Sequence, residues 1–343
     1  MRALYLAADG GNSKTDVVLG DASGQVLGFV RGGTSSPHNI GLAGTIEVLG
    51  RLIRAVHADA GLPVGTPIDT IAVYLAGADL PIEVTRLHQA IAAEAWAGQT
   101  IVDNDCFALL RAGTATPDAV TVVCGAGTNC VGRAADGRTA RFVALGPVSG
   151  DWGGGHDLAD HALREAARGE DGRGRPTALS AAVAAHFGLP TVEAVSIALH
   201  FGDLPMERIH ELAPLLFEVA ATGDEVASAL IDRQSEEILA QHRVAAHRLN
   251  LLDRPHALVL GGGVLRARHP QLHDQVVAGA RRQAPHVDVT VLNTPPVTGA
   301  ALLALDAMGH TAAEPTLRAA LHNRPPTPAH LDLDAVIKDA GAA

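Results

Sequence analysis

The sequence predicts an α/β protein with two related lobes. Strand-like and helix-like segments alternate along its 343 residues, and this alternation is typical of the α/β class. A pattern of three short strands occurs twice in the chain, at widely separated positions. The hydrophobic fraction is 47%, which is enough for two domains that each bury their own core.

The repeated pattern is a strand, a turn of glycine and small polar residues, a second strand, a hairpin signal containing Asp and Gly, and a third strand. Its first copy spans residues 4–30 and its second spans residues 119–143. One such unit could arise by chance, whereas two in one chain rarely do. The duplication therefore predicts two related lobes that face each other.

The remaining elements follow from the hydrophobic periodicity and from prolines at their boundaries. Between the two copies we expect a helix over residues 45–60, a strand over 70–75, a helix over 83–95 and a strand that ends at Asp103. After the second copy we expect helices from about residue 157 to residue 249, strands over 257–260 and 287–292, and a helix over 298–308.

These elements divide the chain into three predicted parts. Residues 1–113 form an N-terminal lobe, and residues 114–310 form a second lobe that carries the helical insertion. Residues 311–343 form a C-terminal helix and a peripheral tail, which a proline-rich stretch at 324–328 interrupts.

The composition excludes several classes of protein. The formal net charge is −11, whereas nucleic-acid binding needs a basic surface, so we expect no nucleic-acid partner. The chain has no apolar run of about eighteen residues or more, so we expect no membrane span. The apolar run at the start is too short for a secretory signal. The three cysteines lack CxxC spacing, which favours the reducing cytoplasm over a disulfide framework.

The turn of the first copy, residues 9–15, reads Asp-Gly-Gly-Asn-Ser-Lys-Thr. Its glycines would let the backbone approach a phosphate group, and its side chains would donate to the phosphate oxygens. Asp9 could hold Mg²⁺ through water, because hard cations prefer oxygen ligands. The phosphate-binding candidates are Gly11, Asn12, Ser13, Lys14 and Thr15. The alternative is an ordinary hairpin turn, for which Asp-Gly is a common signal.

Two further glycine turns each follow an apolar strand. The turn of the second copy, residues 125–129, has the same character as the first. Residues 261–263 are three consecutive glycines, which would let a nucleotide base or ribose approach the backbone. The candidates in these turns are Gly125, Gly127, Thr128, Gly262 and Gly263.

In combination, the motifs resemble the BadF/BadG/BcrA/BcrD ATPase and N-acetylglucosamine kinase family of the actin-like (ASKHA) superfamily. The three glycine turns carry the resemblance, together with Val102-Asp103-Asn104 and Gly150-Asp151, and it spans roughly residues 3–310. It implies two ribonuclease-H-like lobes with an interdomain cleft that binds ATP and Mg²⁺. It also implies a homodimer.

The resemblance assigns a role to the end of the fifth predicted strand. Asp103 matches the family's catalytic base, which orients the acceptor hydroxyl and accepts its proton, and it would join Asp9 at the Mg²⁺. Asn104 follows it in the motif and is expected beside the substrate. The alternative is that residues 103–105 only cap a helix at a strand–helix junction.

Three further positions match residues that contact the sugar in this family. Asp151 matches a second carboxylate, which would accept hydrogen bonds from adjacent sugar hydroxyls. Gly77 matches a glycine beside the sugar. Ser36 stands where the family usually has a sugar-binding Asn, which is a departure from the pattern.

A larger departure follows Asp151. Trp152 replaces a Glu, and the pair His156-Asp157 replaces two aromatic residues. A desolvated ammonium group needs carboxylates, whereas an acetamido group needs an apolar wall, so new acids here favour glucosamine over N-acetylglucosamine. The pattern also resembles an actinobacterial branch of glucosamine kinases. The acids expected at the substrate are Asp157, Glu170 and Asp171, and the alternative is a solvated helix face.

The resemblance thus implies an ATP-dependent kinase that phosphorylates the 6-hydroxyl of an amino sugar, glucosamine in the first place. N-acetylglucosamine kinase is the nearest alternative. An activator ATPase of the BadF type would bind an iron–sulfur cluster through cysteines, here Cys106, Cys124 and Cys130. A non-catalytic sugar sensor is the third alternative.

Overall fold

A computed structural model describes residues 2–329. Residues 330–343, the last part of the predicted tail, lie outside the described residues. The contacts within the chain define two units. The first unit comprises the residues up to Ala119 and those from Leu292 onward, and the second unit is Val120–Val291. No helix in the described residues has both the length and the apolar character needed to cross a membrane.

The strands lie close to the predicted positions. In chain order they are β1 (Leu4–Gly10), β2 (Thr15–Asp21), β3 (Val26–Gly32), β4 (Thr70–Leu75), β5 (Gln99–Asn104), β6 (Ala119–Cys124), β7 (Thr128–Arg133), β8 (Thr139–Arg141), β9 (His256–Gly261), β10 (Val287–Val291) and β11 (Thr327–Pro328).

The helices fill the intervals between the strands. In chain order they are α1 (Pro37–Asp59), α2 (Pro81–Ala93), α3 (Asp105–Gly113), α4 (Gly155–Asp171), α5 (Leu179–His186), α6 (Val192–Phe201), α7 (Leu212–Ala221), α8 (Glu225–Arg248), α9 (Gly263–Arg266), α10 (Pro270–Gln283), α11 (Val297–Ala307) and α12 (Glu314–Asn323). Helices α4 to α8 occupy the range from about residue 157 to residue 249 in which helices were predicted.

The two sheets share one strand order. The first unit has the order β11-β3-β2-β1-β4-β5, and the second has the order β10-β9-β6-β7-β8. The short β11 has no counterpart in the second sheet. When the first sheet is taken from β3 and the second from β8, the order in each is the third, second, first, fourth and fifth strand of its own unit. In the first sheet β1 pairs antiparallel with β2 and parallel with β4. The predicted α/β class and the predicted duplication are confirmed.

The first sheet is covered on both faces, as the sequence of β1 shows. Leu4, Leu6 and Ala8 belong to one hydrophobic cluster, on the side of α1. Tyr5 and Ala7 belong to another cluster, on the side of α11. Because successive side chains of a strand point to opposite faces, this alternation places a core on each side of the sheet.

Helix α11 belongs to the first unit, whereas the predicted boundaries placed residues 292–310 in the second lobe. The physical reason is close packing of α11 against α3. A Cβ on Gly299 would lie 1.7 Å from the carbonyl oxygen of Ala108, so only glycine fits at this contact. A local hydrophobic pattern cannot show which sheet a helix covers, and here the helix returns to the first one.

Arg111 of α3 reinforces this packing. The Arg111 guanidinium is nearly buried and donates to Asp306 of α11 at 2.7 Å and to Glu314 of α12 at 2.6 Å. A buried guanidinium needs such carboxylate partners, because an unpaired buried charge is strongly destabilising. The three helices are therefore held together by both packing and charge.

We predict that Gly299→Ala destabilises the protein by about 3 kcal/mol or more, because the added methyl group overpacks the contact with Ala108. Urea denaturation at equilibrium measures the loss. Gly65→Ala is the matched control, since a Cβ at Gly65 meets no atom within 4 Å. Equal stability of the two variants would contradict this account of the α3–α11 contact.

Candidate functional site

The glycine turn of the first unit connects β1 to β2 in a tight hairpin. The Gly11 N–H donates to the Lys14 carbonyl oxygen at 2.8 Å. Asn12, Ser13 and Lys14 at the tip are exposed. These three candidates are therefore accessible, and they offer a hydroxyl, an amide and an ammonium group to a ligand.

Thr15 differs from its neighbours in the turn. It is fully buried, and its hydroxyl donates to Ser35 Oγ at 2.8 Å. The next residue, Asp16, is also buried and accepts two hydrogen bonds from Arg31, at 2.5 and 2.8 Å. Thr15 thus stabilises the turn from the interior of the unit, which differs from the predicted role of a phosphate donor.

Two carboxyl groups gather at the end of β1. Burial, then the charge of Asp105 and that of Asp16, raises the pKa of Asp9 well above its usual value, while Lys14 and Arg31 act in the opposite direction. Burial and the charge of Asp79 raise the pKa of Asp105 to about 6, and hydrogen bonds from Cys106 oppose the shift. Clustered carboxyl oxygens with raised pKa values are a donor set that suits Mg²⁺.

The strand register also relates Asp9 to Asp103. Asp9 is paired with Tyr74 of β4, and Tyr74 is paired with Asp103 of β5. Paired residues of neighbouring strands project from the same face, so Asp9 and Asp103 lie on one face, about 10 Å apart at two strand spacings. Both stand at the carboxyl ends of parallel strands, where open α/β sheets place their ligands.

The junction of β5 and α3 shows which residue caps the helix. Asn104 is the N-cap, and its Oδ1 accepts the Cys106 N–H at 3.0 Å. Its Nδ2 donates to Asp79 at 2.8 Å. Asn104 is buried and thus has a structural role, which differs from the predicted contact with substrate. Asp103 Oδ1 accepts the N–H of Asn104 at 2.7 Å, which fixes the carboxylate at the strand end.

Ser36 and Gly77 lie side by side in the first unit. A Cβ on Gly77 would come within 3.2 Å of both Ser36 Oγ and the His38 ring. Ser36 is fully buried, and its hydroxyl has no hydrogen-bond partner in the described residues. A buried polar atom without a partner is costly, so this hydroxyl is suited to a ligand that would satisfy it.

Three side chains that could together hold a cation adjoin these residues. The ligand atoms of His38, Asp79 and Glu83 all lie within 4.8 Å of one another. His38 Nε2 contacts Glu83 Oε1 at 3.0 Å, and Glu83 Oε2 accepts the backbone N–H groups of Asp79 and Leu80. The sequence analysis missed this group, because its members come from α1, the turn after β4 and the start of α2.

In the second unit, backbone segments meet at glycines. A Cβ on Gly262 would lie 2.3 Å from the carbonyl oxygen of Cys124, and one on Gly154 would lie 2.5 Å from the Cα of Gly127. The N–H of Gly155 donates to the Gly125 carbonyl oxygen at 2.7 Å. The turn after β6 is therefore framed by the segments before α4 and α9.

A cavity of about 460 Å³ opens beside this framework. Gly125 and Gly263 line it together with Phe217, Val264 and His269. The ring centroids of Phe217 and His269 are 4.8 Å apart. A mostly apolar cavity with a backbone turn at its edge is suited to the base and ribose of a nucleotide.

Thr128 completes the phosphate candidates of the second unit. Its hydroxyl is buried and has no hydrogen-bond partner in the residues that the structure describes. Gly127 beside it is exposed. As with Ser36, an orphaned hydroxyl at a predicted ligand position fits a bound group that is not part of the protein chain.

Asp151 and Asp157 both have local hydrogen bonds. Asp151 Oδ2 accepts the Gly146 N–H at 2.9 Å and the Ser149 hydroxyl at 2.7 Å, which leaves Oδ1 for a sugar hydroxyl. Asp157 Oδ2 accepts the Gly153 N–H at 2.8 Å, and its Oδ1 lies 3.6 Å from His161 Nε2. Asp157 therefore stabilises the start of α4.

Trp152, the residue that departs from the family's Glu, packs among polar groups. Its Nε1 donates to His161 Nε2 at 3.1 Å, and the Arg233 guanidinium lies 4.3 Å from its ring centroid. These contacts orient the indole ring in the loop that contains Asp151.

Glu170 and Asp171 have structural partners. Glu170 accepts the backbone N–H groups of Val192 and Glu193 at 2.9 and 2.8 Å, which caps the start of α6. Asp171 accepts both the backbone and the guanidinium of Arg173, and these bonds lower its pKa. Glu170 thus connects α4 to α6, and Asp171 binds the loop that follows α4, so the expectation that they contact the substrate has no support in their geometry.

The chain matches the BadF/BadG/BcrA/BcrD ATPase family over residues 8–304. It belongs to this family. The predicted resemblance is confirmed, and the match includes the three glycine turns, Asp103 and Asp151.

Relatives with assigned activities share nearly the whole chain. The N-acetylmuramic acid/N-acetylglucosamine kinase of Clostridium acetobutylicum is 24% identical over 87% of this chain and 97% of its own. The N-acetyl-D-glucosamine kinase of Dictyostelium discoideum is 25% identical over 89% of this chain and 98% of its own.

A solved structure confirms the predicted fold. A candidate N-acetylglucosamine kinase from Chromobacterium violaceum has a TM-score of 0.68 at 23% identity, and the match covers 88% of this chain and 99% of that one. The BadF/BadG/BcrA/BcrD family member described here thus has the fold of the actin-like ATPases, with two ribonuclease-H-like sheets.

Within this family member, Asp105 is a residue of the carboxyl cluster that the sequence did not reveal. A helix cap was the alternative interpretation of residues 103–105, but Asn104 caps α3, and the charge of Asp79 acts on the Asp105 carboxyl group. Asn and Asp are almost equally good N-caps, so the sequence alone could not decide between them. The signal available was three consecutive polar residues at the end of a buried strand.

We predict that Asp105 makes the metal-free protein less stable as the pH rises. The folded chain keeps a proton on Asp105 up to about pH 6, whereas the unfolded chain loses it near the ordinary pKa of an aspartic acid side chain, 3.8. The unfolding free energy therefore falls between about pH 4 and pH 6, by at most about 3 kcal/mol from this group. Asp105→Asn is expected to remove that part of the slope.

Urea denaturation between pH 4.5 and pH 8, with a chelator or with Mg²⁺, tests this expectation. Mg²⁺ should stabilise the wild type at pH 8 more than it stabilises Asp105→Asn, because the cation offsets the carboxylate repulsion. The exposed Asp253→Asn is the control and should follow the wild type. An unchanged pH slope in Asp105→Asn would refute the role assigned to this carboxyl group.

Proposed function

We propose that the protein is an ATP-dependent sugar kinase. One observation carries the proposal: in a member of an ATPase family, Asp9 and Asp103 stand in the same register row of one sheet, at the carboxyl ends of β1 and β5. Phosphoryl transfer needs a carboxylate for the acceptor hydroxyl and another near the cation that binds the phosphates, with room between them. The relatives named as kinases support the same activity.

The residues of the first unit divide the work. Asp103 orients the acceptor hydroxyl and takes its proton as the bond from that oxygen to the γ-phosphorus of ATP forms, while the bond from the γ-phosphorus to the bridging oxygen breaks and ADP leaves. Ser13 and Lys14 at the exposed turn donate to phosphate oxygens. Asp9 and Asp105 hold Mg²⁺, which when bound neutralises phosphate charge.

The residues of the second unit bind the nucleotide. Phosphate oxygens accept hydrogen bonds from the backbone of Gly125 and Gly127 and from the unpartnered hydroxyl of Thr128. The cavity lined by Phe217 and Val264 takes up the base. The close backbone contact at Gly262 keeps this cavity open to the turn.

The acceptor that we propose is an amino sugar, with glucosamine as the first candidate. Ser36 and Gly77 would border the sugar, and Asp79 and Glu83 beside them provide carboxylates for an ammonium group. Asp79 and Glu83 thus replace Glu170 and Asp171 as the proposed carboxylate partners of the ammonium group. N-acetylglucosamine is the second candidate, and the names of the two kinase relatives favour it.

The activator ATPase has less support. Cys106, Cys124 and Cys130 are all buried. Burial raises the pKa of Cys124 to about 12 and also raises that of Cys130, so both thiols stay protonated at neutral pH. Iron–sulfur clusters need thiolates, and these two residues do not supply them.

We predict that Asp103→Asn retains sugar binding but lowers turnover about 100-fold or more, because loss of a general base typically costs that much. Turnover is measured as ADP release in a coupled assay, and binding is measured by calorimetry. Asp253→Asn serves as the control, since it is exposed and changes the charge equally. If the turnover of Asp103→Asn lay within a few fold of the wild type, Asp103 would not be the general base.

We predict that Glu83→Gln lowers kcat/KM for glucosamine about tenfold and leaves N-acetylglucosamine nearly unaffected, because only the ammonium group needs the negative charge. Gln retains the oxygen that accepts the backbone N–H groups. ADP release is compared for glucosamine, N-acetylglucosamine and glucose in the wild type and in the variant. A preference of the wild type for N-acetylglucosamine would keep the kinase and discard the ammonium site. If no sugar stimulated release, the kinase proposal itself would fall.

A further inference from the structure

Besides the cavity of the second unit, there is a cavity in the first unit, and the proposed reaction does not use it. Its volume is about 550 Å³, and it lies between α1, the loop at residues 64–68 and the turn at residues 95–98. The side chains that line it include Arg54, His57 and Trp96.

This cavity lies at the amino ends of β4 and β5, whereas Asp103 lies at the carboxyl end of β5. Ile68 and Gly98 line the cavity and come just before β4 and β5, whereas Asp103 stands near the end of β5. Five residues of extended strand between Gly98 and Asp103 span about 16 Å. A molecule in the cavity would thus be separate from the acceptor sugar.

His57 lines the cavity and has a polar ring atom without a partner in the described residues. Its side chain is 2% exposed, and its Nδ1 lies 2.8 Å from the Ile53 carbonyl oxygen. A carbonyl oxygen can only accept, so Nδ1 is the donor, and in the tautomer with its proton on Nδ1 the ring has a lone pair at Nε2. This Nε2 is buried and has no hydrogen-bond partner in the described residues. It would accept a hydrogen bond from a hydroxyl group.

The charge of the lining selects the rest of the ligand. None of the described lining residues is acidic, although the chain as a whole carries a formal net charge of −11. Arg54 is exposed at the rim, and its planar guanidinium can bind a phosphate group through two hydrogen bonds. Trp96 adds a flat apolar surface, on which the C–H face of a sugar ring can pack.

We propose that this cavity binds a sugar phosphate. The His57 Nε2 accepts a hydrogen bond from a ring hydroxyl, the Arg54 guanidinium pairs with the phosphate, and the Trp96 indole packs against the ring. The choice of ligand rests on the proposed function, because a sugar kinase makes a molecule of this class. The cavity then senses the product away from the acceptor site.

Tryptophan fluorescence tests the proposal without any turnover. Trp96 and Trp152 are the two tryptophans of the chain, so Trp152→Phe leaves Trp96 as the sole reporter. Glucosamine 6-phosphate, glucosamine and inorganic phosphate are titrated separately into this variant. We expect saturable quenching of Trp96 by glucosamine 6-phosphate, at least tenfold weaker binding of inorganic phosphate, and no response to glucosamine.

Two charge variants in the same background locate the ligand. Arg54→Gln should weaken the binding of glucosamine 6-phosphate about tenfold or more. Arg86→Gln is the matched control, since Arg86 is exposed on α2, does not line the cavity and should leave binding unchanged. A Trp96 emission that does not respond, or equal affinities in the two charge variants, would overturn the proposal.

The same titrations separate this proposal from the kinase assignment. Quenching that depends on Arg54 in a protein that turns over no sugar would retain the cavity site and reject the kinase. Normal kinase activity with no response of Trp96 would do the reverse. Tight binding of inorganic phosphate alone would show a simple anion site and overturn the assignment of a sugar phosphate.

Discussion

The second unit depends on backbone segments that approach more closely than any side chain would allow. Gly262 lies against Cys124 and Gly125, and Gly154 lies against the turn at Gly127. Both glycines also have positive φ angles, which other residues rarely adopt. Because these contacts involve backbone on both sides, they fix the turn after β6. The cavity lined by Gly125 and Gly263 lies beside this turn.

The first unit solves a different problem, which is to hold several carboxyl groups near one another. The parallel register of β1, β4 and β5 aligns Asp9 with Asp103, and the start of α3 adds Asp105. Burial raises the pKa values of Asp9 and Asp105, and a neighbouring carboxyl group adds to each shift, Asp105 in the case of Asp9 and Asp79 in the case of Asp105. The fold tolerates this repulsion because Arg31 and Lys14 offset part of it, and a divalent cation would offset more.

Much of the fold could be predicted because its signals are local. Strand β4 begins and ends at the predicted residues, since an apolar run between turn signals needs no knowledge of the rest of the chain. The roles of Thr15, Glu170 and Asp105 could not be predicted in this way. Each depends on which way a side chain points and on a partner distant in sequence, such as Ser35 for Thr15 or Val192 for Glu170.

The return of the chain at Leu292 has a consequence for biosynthesis. The core on one face of the first sheet combines Tyr5 and Ala7 with residues of α11, which leave the ribosome only after the whole second unit. The second unit is continuous in sequence and can acquire its structure while synthesis continues. The N-terminal strands must wait with one face uncovered, so the growing chain exposes apolar surface there until α11 arrives. Chaperone binding during translation is therefore expected to concentrate on the earliest strands.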